Sequence, residues 1–177
     1  MGCLIAGTLL APGVASGHAL LTAPRPRDQS DAHKDPNGPC GVTRTAAQPS
    51  TMPPLTAGAP LMVTWNETVN HPGCFVVDFS ASGDTGWVTL STTAHKTGTL
   101  PRPYMAMVTL PAAPCTACTL RLRQIMLNAE PAAGAACPPA NLASGATYYS
   151  CANVVLTGGG AADGGVTDAG GGTGGRA

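Results

Sequence analysis

The sequence predicts an all-β domain, a β-sandwich of the immunoglobulin or fibronectin III type with long loops stapled by disulfides. Short runs of alternating apolar and polar residues recur between stretches rich in Pro and Gly, and such alternation is typical of half-buried strands. No long stripe with the 3.6-residue period of an amphipathic helix is present. The chain of 177 residues, 44% apolar but only 4% aromatic, has room for one domain core.

Six segments carry the clearest strand pattern. In the second of them, Phe75, Val77 and Phe79 alternate along the chain and therefore face one side of the predicted sheet. The predicted strands are 61–65, 75–79, 87–90, 104–110, 119–127 and 148–156. The segment 22–59 is rich in Pro, Asp, Asn and Gly, which predicts a long irregular loop.

The two ends of the chain differ in composition from its middle. Residues 1–17 carry no charge, run apolar as far as Leu10 and end in small residues, which predicts a signal peptide cleaved after Gly17. This apolar run is too short to span a membrane. Residues 158–177 are half glycine, which predicts a disordered linker or tail. The folded domain is therefore predicted at 18–157 of a protein that is secreted or held at the cell surface.

Six cysteines follow the predicted signal peptide. An even number in a small exported domain predicts up to three disulfides, but the pairing stays open. Two of the six form the sequence CTAC, for which a zinc or redox site is the alternative; no second CxxC accompanies it, so a disulfide is favoured. The six are Cys40, Cys74, Cys115, Cys118, Cys137 and Cys151.

Charge and motifs exclude several classes of function. Nine basic and nine acidic side chains give no net charge, which argues against nucleic acid and anionic membranes as partners. The sequence contains neither G-x-S-x-G nor a P-loop. Acidic residues are few and mostly in predicted loops, so hydrolysis by paired carboxylates is disfavoured. We expect a monomer with a neutral partner.

Cleavage after Gly17 would make His18 the first residue of the mature chain. An N-terminal histidine offers its α-amine and its imidazole Nδ1 to the same metal ion, and a second imidazole completes a T of three nitrogens. This arrangement suits Cu(II) and leaves positions open for a small molecule. Because the amine must lose its proton, metal binding should weaken in acid.

His71 is the predicted second ligand. It lies in VTWNETVNHPGCFVVDFS between two predicted strands, where Pro72 and Gly73 favour a turn at the end of the sandwich. The alternative is an ordinary turn histidine that binds no metal. The presence of His18 as a second candidate ligand in the same chain favours the metal-binding interpretation. His33 and His95 are weaker candidates, because both lie in polar segments typical of solvated surface.

The sequence resembles the histidine-brace copper proteins of the lytic polysaccharide monooxygenase group, in particular the exported bacterial polysaccharide monooxygenase-like proteins and, more distantly, the bacterial chitin-binding type. Three segments in the same order carry this resemblance. They are His18 followed by Leu21, Pro24 and Arg25, the W-x-x-T-x-x-H block of Trp65, Thr68 and His71, and the closing strand YYSCANVVL.

The resemblance implies one mononuclear copper ion and oxidative cleavage of polysaccharide glycosidic bonds, with an external electron donor and O₂ or peroxide. His18, His71 and Tyr148 would be the catalytic residues, with Tyr148 at the axial face of the copper. Asn153 stands where relatives carry Asp and is the alternative axial group. Tyr148 and Asn153 have opposite parity, so a regular strand points them to opposite faces.

Two other functions remain open at this stage. The first is a copper-binding or copper-delivery protein that uses the same brace without oxidising sugar, and the second is a metal-free adhesion module on a glycine stalk. Trp65 is expected in the core, and Glu67 either supports the site from behind or is a solvated loop residue. The scarcity of aromatic rings favours a soluble or soft glycan over a crystalline one.

Overall fold

The computed structural model describes residues 18–29, 32–34, 38–41, 43, 50 and 52–158. The predicted signal peptide, and the predicted tail after Gly158, lie outside the described residues. Within them the chain forms nine strands and no helix, so the all-β prediction is confirmed. The strands are β1 (Ala19–Ala23), β2 (His33–Lys34), β3 (Leu55–Thr56), β4 (Pro60–Glu67), β5 (Gly73–Ser80), β6 (Val88–Ala94), β7 (Arg102–Thr109), β8 (Cys115–Met126) and β9 (Thr147–Thr157).

The strands form two sheets. The small sheet has the order β1-β4-β7, and the large sheet has the order β2-β9-β8-β5-β6 with β3 added in parallel to β9. The other pairings are antiparallel. The segment 22–59, predicted to be irregular, thus contributes the end of β1 and the two short strands β2 and β3. Both short strands pair through backbone hydrogen bonds at the margin of the large sheet, which side-chain alternation over two residues cannot reveal.

The main core lies between the inner faces of the two sheets. Phe75 and Val77 of the large sheet share one buried cluster with Trp65 and Tyr104 of the small sheet. The Trp65 ring is stacked on Tyr104 at 5.5 Å between centroids, and Phe75 lies 4.5 Å from Tyr104. Trp65 is therefore a core residue, as expected from the sequence.

Loops cover the outer face of the large sheet. Every residue of β5 is buried, on both faces, because Val76 and Ile125 pack beneath Leu127 and Leu142 of the 127–146 loop. The predicted disulfides are present. Two of them link covering loops to strands of the large sheet, and the third joins the two cysteines of the CTAC sequence. The pairs are Cys40–Cys151, Cys74–Cys137 and Cys115–Cys118.

Candidate metal centre

His18 immediately precedes β1 at one end of the sandwich. Its carbonyl oxygen accepts a hydrogen bond from the backbone N–H of Thr68 at 2.8 Å and a longer one from Val69 at 3.4 Å. These bonds extend the β1–β4 ladder by one step and join His18 to the loop that follows β4. The first residue of the predicted domain is thereby fixed beside the segment that carries His71.

His71 lies in the turn between β4 and β5, which the backbone on both sides holds in place. The carbonyl oxygen of Pro72 accepts a hydrogen bond from the N–H of Leu127 at 2.9 Å. Gly73 has φ of 139°, and a Cβ at this position would lie 2.0 Å from the carbonyl oxygen of Ile125. Only glycine permits this approach of β5 to β8 at the second position after the histidine, so the turn requires the glycine of the HPG sequence.

The structure brings the three predicted ligand residues together. The imidazoles of His18 and His71, 53 positions apart in the sequence, have centroids 4.9 Å apart and planes within 6°. The Tyr148 ring is stacked on His18 at 3.6 Å with an interplanar angle of 15°. All three residues are half-buried.

This donor set fits copper better than the other common metals. Within the described ranges, no group of three or more His, Cys, Asp and Glu side chains is arranged to hold a metal ion. Two neighbouring imidazoles, together with the α-amine that cleavage after Gly17 would release, supply three nitrogens without a thiolate or carboxylate. Nitrogen donors with open positions suit Cu(II), whereas structural zinc sites are typically closed by four protein ligands.

Asn153, the alternative axial group, lies at a different place from Tyr148. It pairs with Thr119 in the β8–β9 ladder, whereas Tyr148 pairs with Gln124, five positions along β8. Its buried Oδ1 accepts a hydrogen bond from Arg27 Nε at 2.6 Å. Arg27 in turn forms two hydrogen bonds with the carboxylate of Asp84. These contacts identify Asn153 as part of the polar cluster that anchors the segment after β1.

One of the two weaker histidine candidates lies in β2, and the other lies directly after β6. His33 belongs to β2, where its backbone pairs with Tyr149. The side chain of His95 is buried rather than solvated, and its Nδ1 lies 2.5 Å from Glu130 Oε1. Its Nε2 lies 3.1 Å from Asn70 Oδ1, immediately before His71 in the chain. The expectation of a solvated His95 is therefore wrong, because β6 carries it beneath the loop between β4 and β5.

A buried polar network lies behind the three rings. Its centre is Glu67, which has no exposed side-chain area. Glu67 Oε2 accepts hydrogen bonds from Arg102 Nη1 at 2.8 Å and from the Tyr104 hydroxyl at 3.0 Å. Glu67 Oε1 lies 3.3 Å from His95 Nε2 and 3.4 Å from Gln124 Nε2. Of the two expectations for Glu67, the structure supports a position behind the site.

The network also sets the protonation of two of its members. Burial is the main cause that raises the pKa of the Tyr104 hydroxyl above 10.0. The hydrogen bond with Tyr104 is the main cause that raises the pKa of Arg102, and the charge of Glu67 adds to it. Tyr104 is therefore neutral and Arg102 charged at neutral pH, so Glu67 Oε2 accepts one hydrogen bond from a cation and one from a neutral hydroxyl.

Gln124 links this network to the loop between β4 and β5 that carries His71. The sequence analysis missed this residue. Its Nε2 donates to the carbonyl oxygen of Val69 at 3.4 Å, two residues before His71. A signal was present in the sequence, since Leu120, Leu122 and Gln124 alternate along β8 and the last is a polar residue at a core-facing position. Buried polar groups need hydrogen-bond partners, so a polar residue at a core-facing position indicates a hydrogen-bonded network inside the protein.

Comparison with known proteins supports the fold. No protein-family profile matches the chain, and no curated protein matches its sequence. Among solved structures, the chain is similar to a lytic polysaccharide monooxygenase AA15 from Thermobia domestica in the Cu(I) state, at 16% sequence identity and a TM-score of 0.52. The match covers 78% of this chain and 98% of that protein. The chain therefore has the β-sandwich fold of a lytic polysaccharide monooxygenase.

Proposed function

We propose that this protein is an extracellular mononuclear copper enzyme that cleaves polysaccharide glycosidic bonds by oxidation. The observation that carries the proposal is the convergence of His18, His71 and Tyr148 at one end of the sandwich. Two imidazoles from distant parts of the sequence have ring centroids 4.9 Å apart, and one of them is the residue that predicted signal cleavage would expose. The similarity in fold to a monooxygenase recorded in the Cu(I) state is consistent with this proposal.

Each residue of the site has a distinct role in this proposal. His18 supplies its imidazole and, once it is the first residue, its α-amine, while His71 supplies the second imidazole. Tyr148 is stacked against the His18 ring and holds its orientation. Bound copper would supply the one-electron chemistry that activates O₂ or peroxide towards a sugar C–H bond. The Glu67 network holds the loop that carries His71, so that the nitrogens are in place before the metal binds.

The positions of the aromatic rings favour a soluble or soft glycan as substrate. The chain has seven Trp, Tyr and Phe residues in all. Trp65, Phe75, Phe79 and Tyr104 are buried in the core. Trp87 is stacked on Arg121, and Tyr149 lies against Gly38. Only Tyr148 then has its ring at the site, which leaves no row of rings for gripping a flat crystalline surface.

An extracellular location agrees with the covalent structure. Three disulfides are characteristic of proteins that fold in an oxidising compartment. Within the described part of the chain, no helix has the length and apolarity needed to cross a membrane.

The test is oxidation of glycans by protein exported from a bacterial host, with His71→Ala as the variant. The copper-loaded protein is incubated with ascorbate and peroxide on matched soluble and insoluble glycans, and oxidised oligosaccharides are detected by mass spectrometry. We expect oxidised products, mainly from soluble glycans. In the variant, Cu(II) affinity should fall by more than the roughly 10–100-fold that changes behind a metal site cost, because a ligand itself is lost.

His33→Ala is the comparison variant, since it removes a histidine that the sequence ranks as a weaker ligand candidate than His71. It should bind copper and oxidise glycans as the unaltered protein does. Copper binding that depends on His71 without oxidation of any glycan would contradict the enzymatic proposal and favour copper delivery. Tight Cu(II) binding that survives His71→Ala would contradict both.

A further inference from the structure

Three methionines are exposed together on the outer face of the small sheet. The exposed fractions of Met62, Met105 and Met107 are 41%, 67% and 59%. They are half of the six methionines of the chain. Among the described residues, the other large apolar side chains with comparable exposure are Val69 and Val88, which lie outside the small sheet. The large apolar side chains that this face exposes are therefore thioethers.

The strand residues around these methionines are uncharged. Thr22 and Thr64 share a hydrogen bond of 2.7 Å between their hydroxyls on the same face. The charged residues of β1, β4 and β7 are Glu67 and Arg102, and both are buried on the inner face. The outer face is formed by Leu20, Thr22, Pro60, Met62, Thr64, Asn66, Pro103, Met105, Met107 and Thr109.

The strand register brings the three thioethers within reach of one ion. Met62 on β4 is directly opposite Met107 on β7, and Met105 is opposite Thr64. Directly opposed residues of an antiparallel pair have Cβ atoms about 4.5–5.5 Å apart, and diagonal neighbours are about 7–8 Å apart. Each methionine side chain has three rotatable bonds beyond Cα, so the sulfur atoms can converge without a change in the backbone.

We propose that Met62, Met105 and Met107 form a second metal site that binds Cu(I). Soft, neutral thioether sulfur suits Cu(I), whereas Mg, Ca and Mn prefer carboxylate, carbonyl or water, and protein zinc sites are built from Cys thiolate, His and carboxylate. The ligands are neutral and no carboxylate lies on this face, which disfavours the harder divalent ions further. No disulfide cysteine belongs to this face, so the site does not depend on reducing the protein.

This site is separate from the metal centre at His18. Thr68, which directly follows β4, is hydrogen-bonded to His18, and Thr64 of β4, opposite Met105, lies four residues earlier in the chain. At about 3.3 Å per residue, the two positions are about 13 Å apart, so one ion cannot occupy both sites. The proposed Cu(I) site can therefore be tested independently of the proposed enzymatic function.

The test uses Ag⁺ as a redox-inert substitute for Cu(I), on protein labelled with ¹³C at the methionine methyl groups. Ag⁺ needs no reductant, so the disulfides stay intact during the titration. We expect the methyl signals of Met62, Met105 and Met107 to shift together and to saturate with one equivalent. Met52 and Met126, which are half-buried elsewhere, serve as internal controls whose signals should stay unchanged.

A second measurement uses Cu(I) itself, titrated without oxygen against a colorimetric Cu(I) chelator. In the His71→Ala protein, one equivalent of Cu(I) should remain bound, and it should be lost when Met62, Met105 and Met107 are all changed to leucine. Leucine keeps the volume and apolarity of the face but removes the sulfur. Methyl signals that do not respond to Ag⁺, or Cu(I) binding that survives the triple leucine change, would overturn the proposal. Self-association through this face without metal binding would also overturn it.

Discussion

Glu67→Gln is expected to lower the free energy of unfolding by about 3–5 kcal/mol, although it replaces only one carboxylate oxygen by an amide NH₂ group. The carboxylate has no exposed area and faces Arg102 at 2.8 Å. Glutamine removes its charge, which leaves the Arg102 guanidinium buried without its counter-ion. It also presents an N–H group to donors that need an acceptor. Urea denaturation at neutral pH, followed by intrinsic fluorescence, measures the difference.

Glu130→Gln is the matched control for this prediction. Glu130 contacts the same His95 imidazole from the other side, beside a surface cavity of about 690 Å³, but 45% of its side chain is exposed. Solvent screens such a pair, so its loss should cost no more than about 1 kcal/mol. Equal losses for the two variants would contradict the placement of Glu67 as the buried centre of the network.

Asp78→Asn, on the outer face of the large sheet, is expected to lower the free energy of unfolding by a similar amount, about 3–5 kcal/mol. Asp78 is 1% exposed, and its Oδ2 accepts hydrogen bonds from Arg121 Nη2 at 2.8 Å and Arg123 Nε at 2.6 Å. Burial is the main cause that lowers the pKa of Arg121, as expected for a cation removed from water. Without the carboxylate, two adjacent guanidinium groups would repel each other. Thermal and urea unfolding of the variant measure the loss.

A second substitution separates the charge effect from lost packing. In the Asp78→Asn background, Arg121→Met removes the more buried of the two cations while keeping much of the volume stacked on Trp87. The double variant should recover part of the stability lost in Asp78→Asn, because the uncompensated charge is gone. A double variant less stable than Asp78→Asn alone would mean that the pair acts mainly through packing.

Local patterns in the sequence predicted the sandwich, and drew attention to His71, for physical reasons. Phe75, Val77 and Phe79 alternate because one face of β5 meets the core. The HPG turn is equally local, since Gly73 must lie against the backbone of β8. The resemblance supplied Tyr148, and the structure places this residue against the His18 ring.

Other features depend on contacts between distant parts of the chain and could not be predicted. Glu67 and Gln124 meet across 57 residues, and neither has a neighbour in sequence that reveals the other. The cysteine pairing was open for the same reason, because Cys40 and Cys151 are separated by 111 positions. His95 was misjudged because a polar sequence around a histidine says nothing about a loop that folds over it.

The most direct measurement concerns the α-amine of His18, because the proposed copper site needs this residue at the start of the mature chain. The intact mass of protein exported by a bacterial host gives the N-terminus, and Cu(II) titration followed by electron paramagnetic resonance gives stoichiometry and ligand type. The same titration is made on a variant with one alanine added before His18. We expect a mature chain that begins at His18, binds one Cu(II) through nitrogen ligands, and loses that binding when the alanine is added. A chain that begins elsewhere, or Cu(II) binding that the added alanine leaves unchanged, would contradict the proposed metal centre.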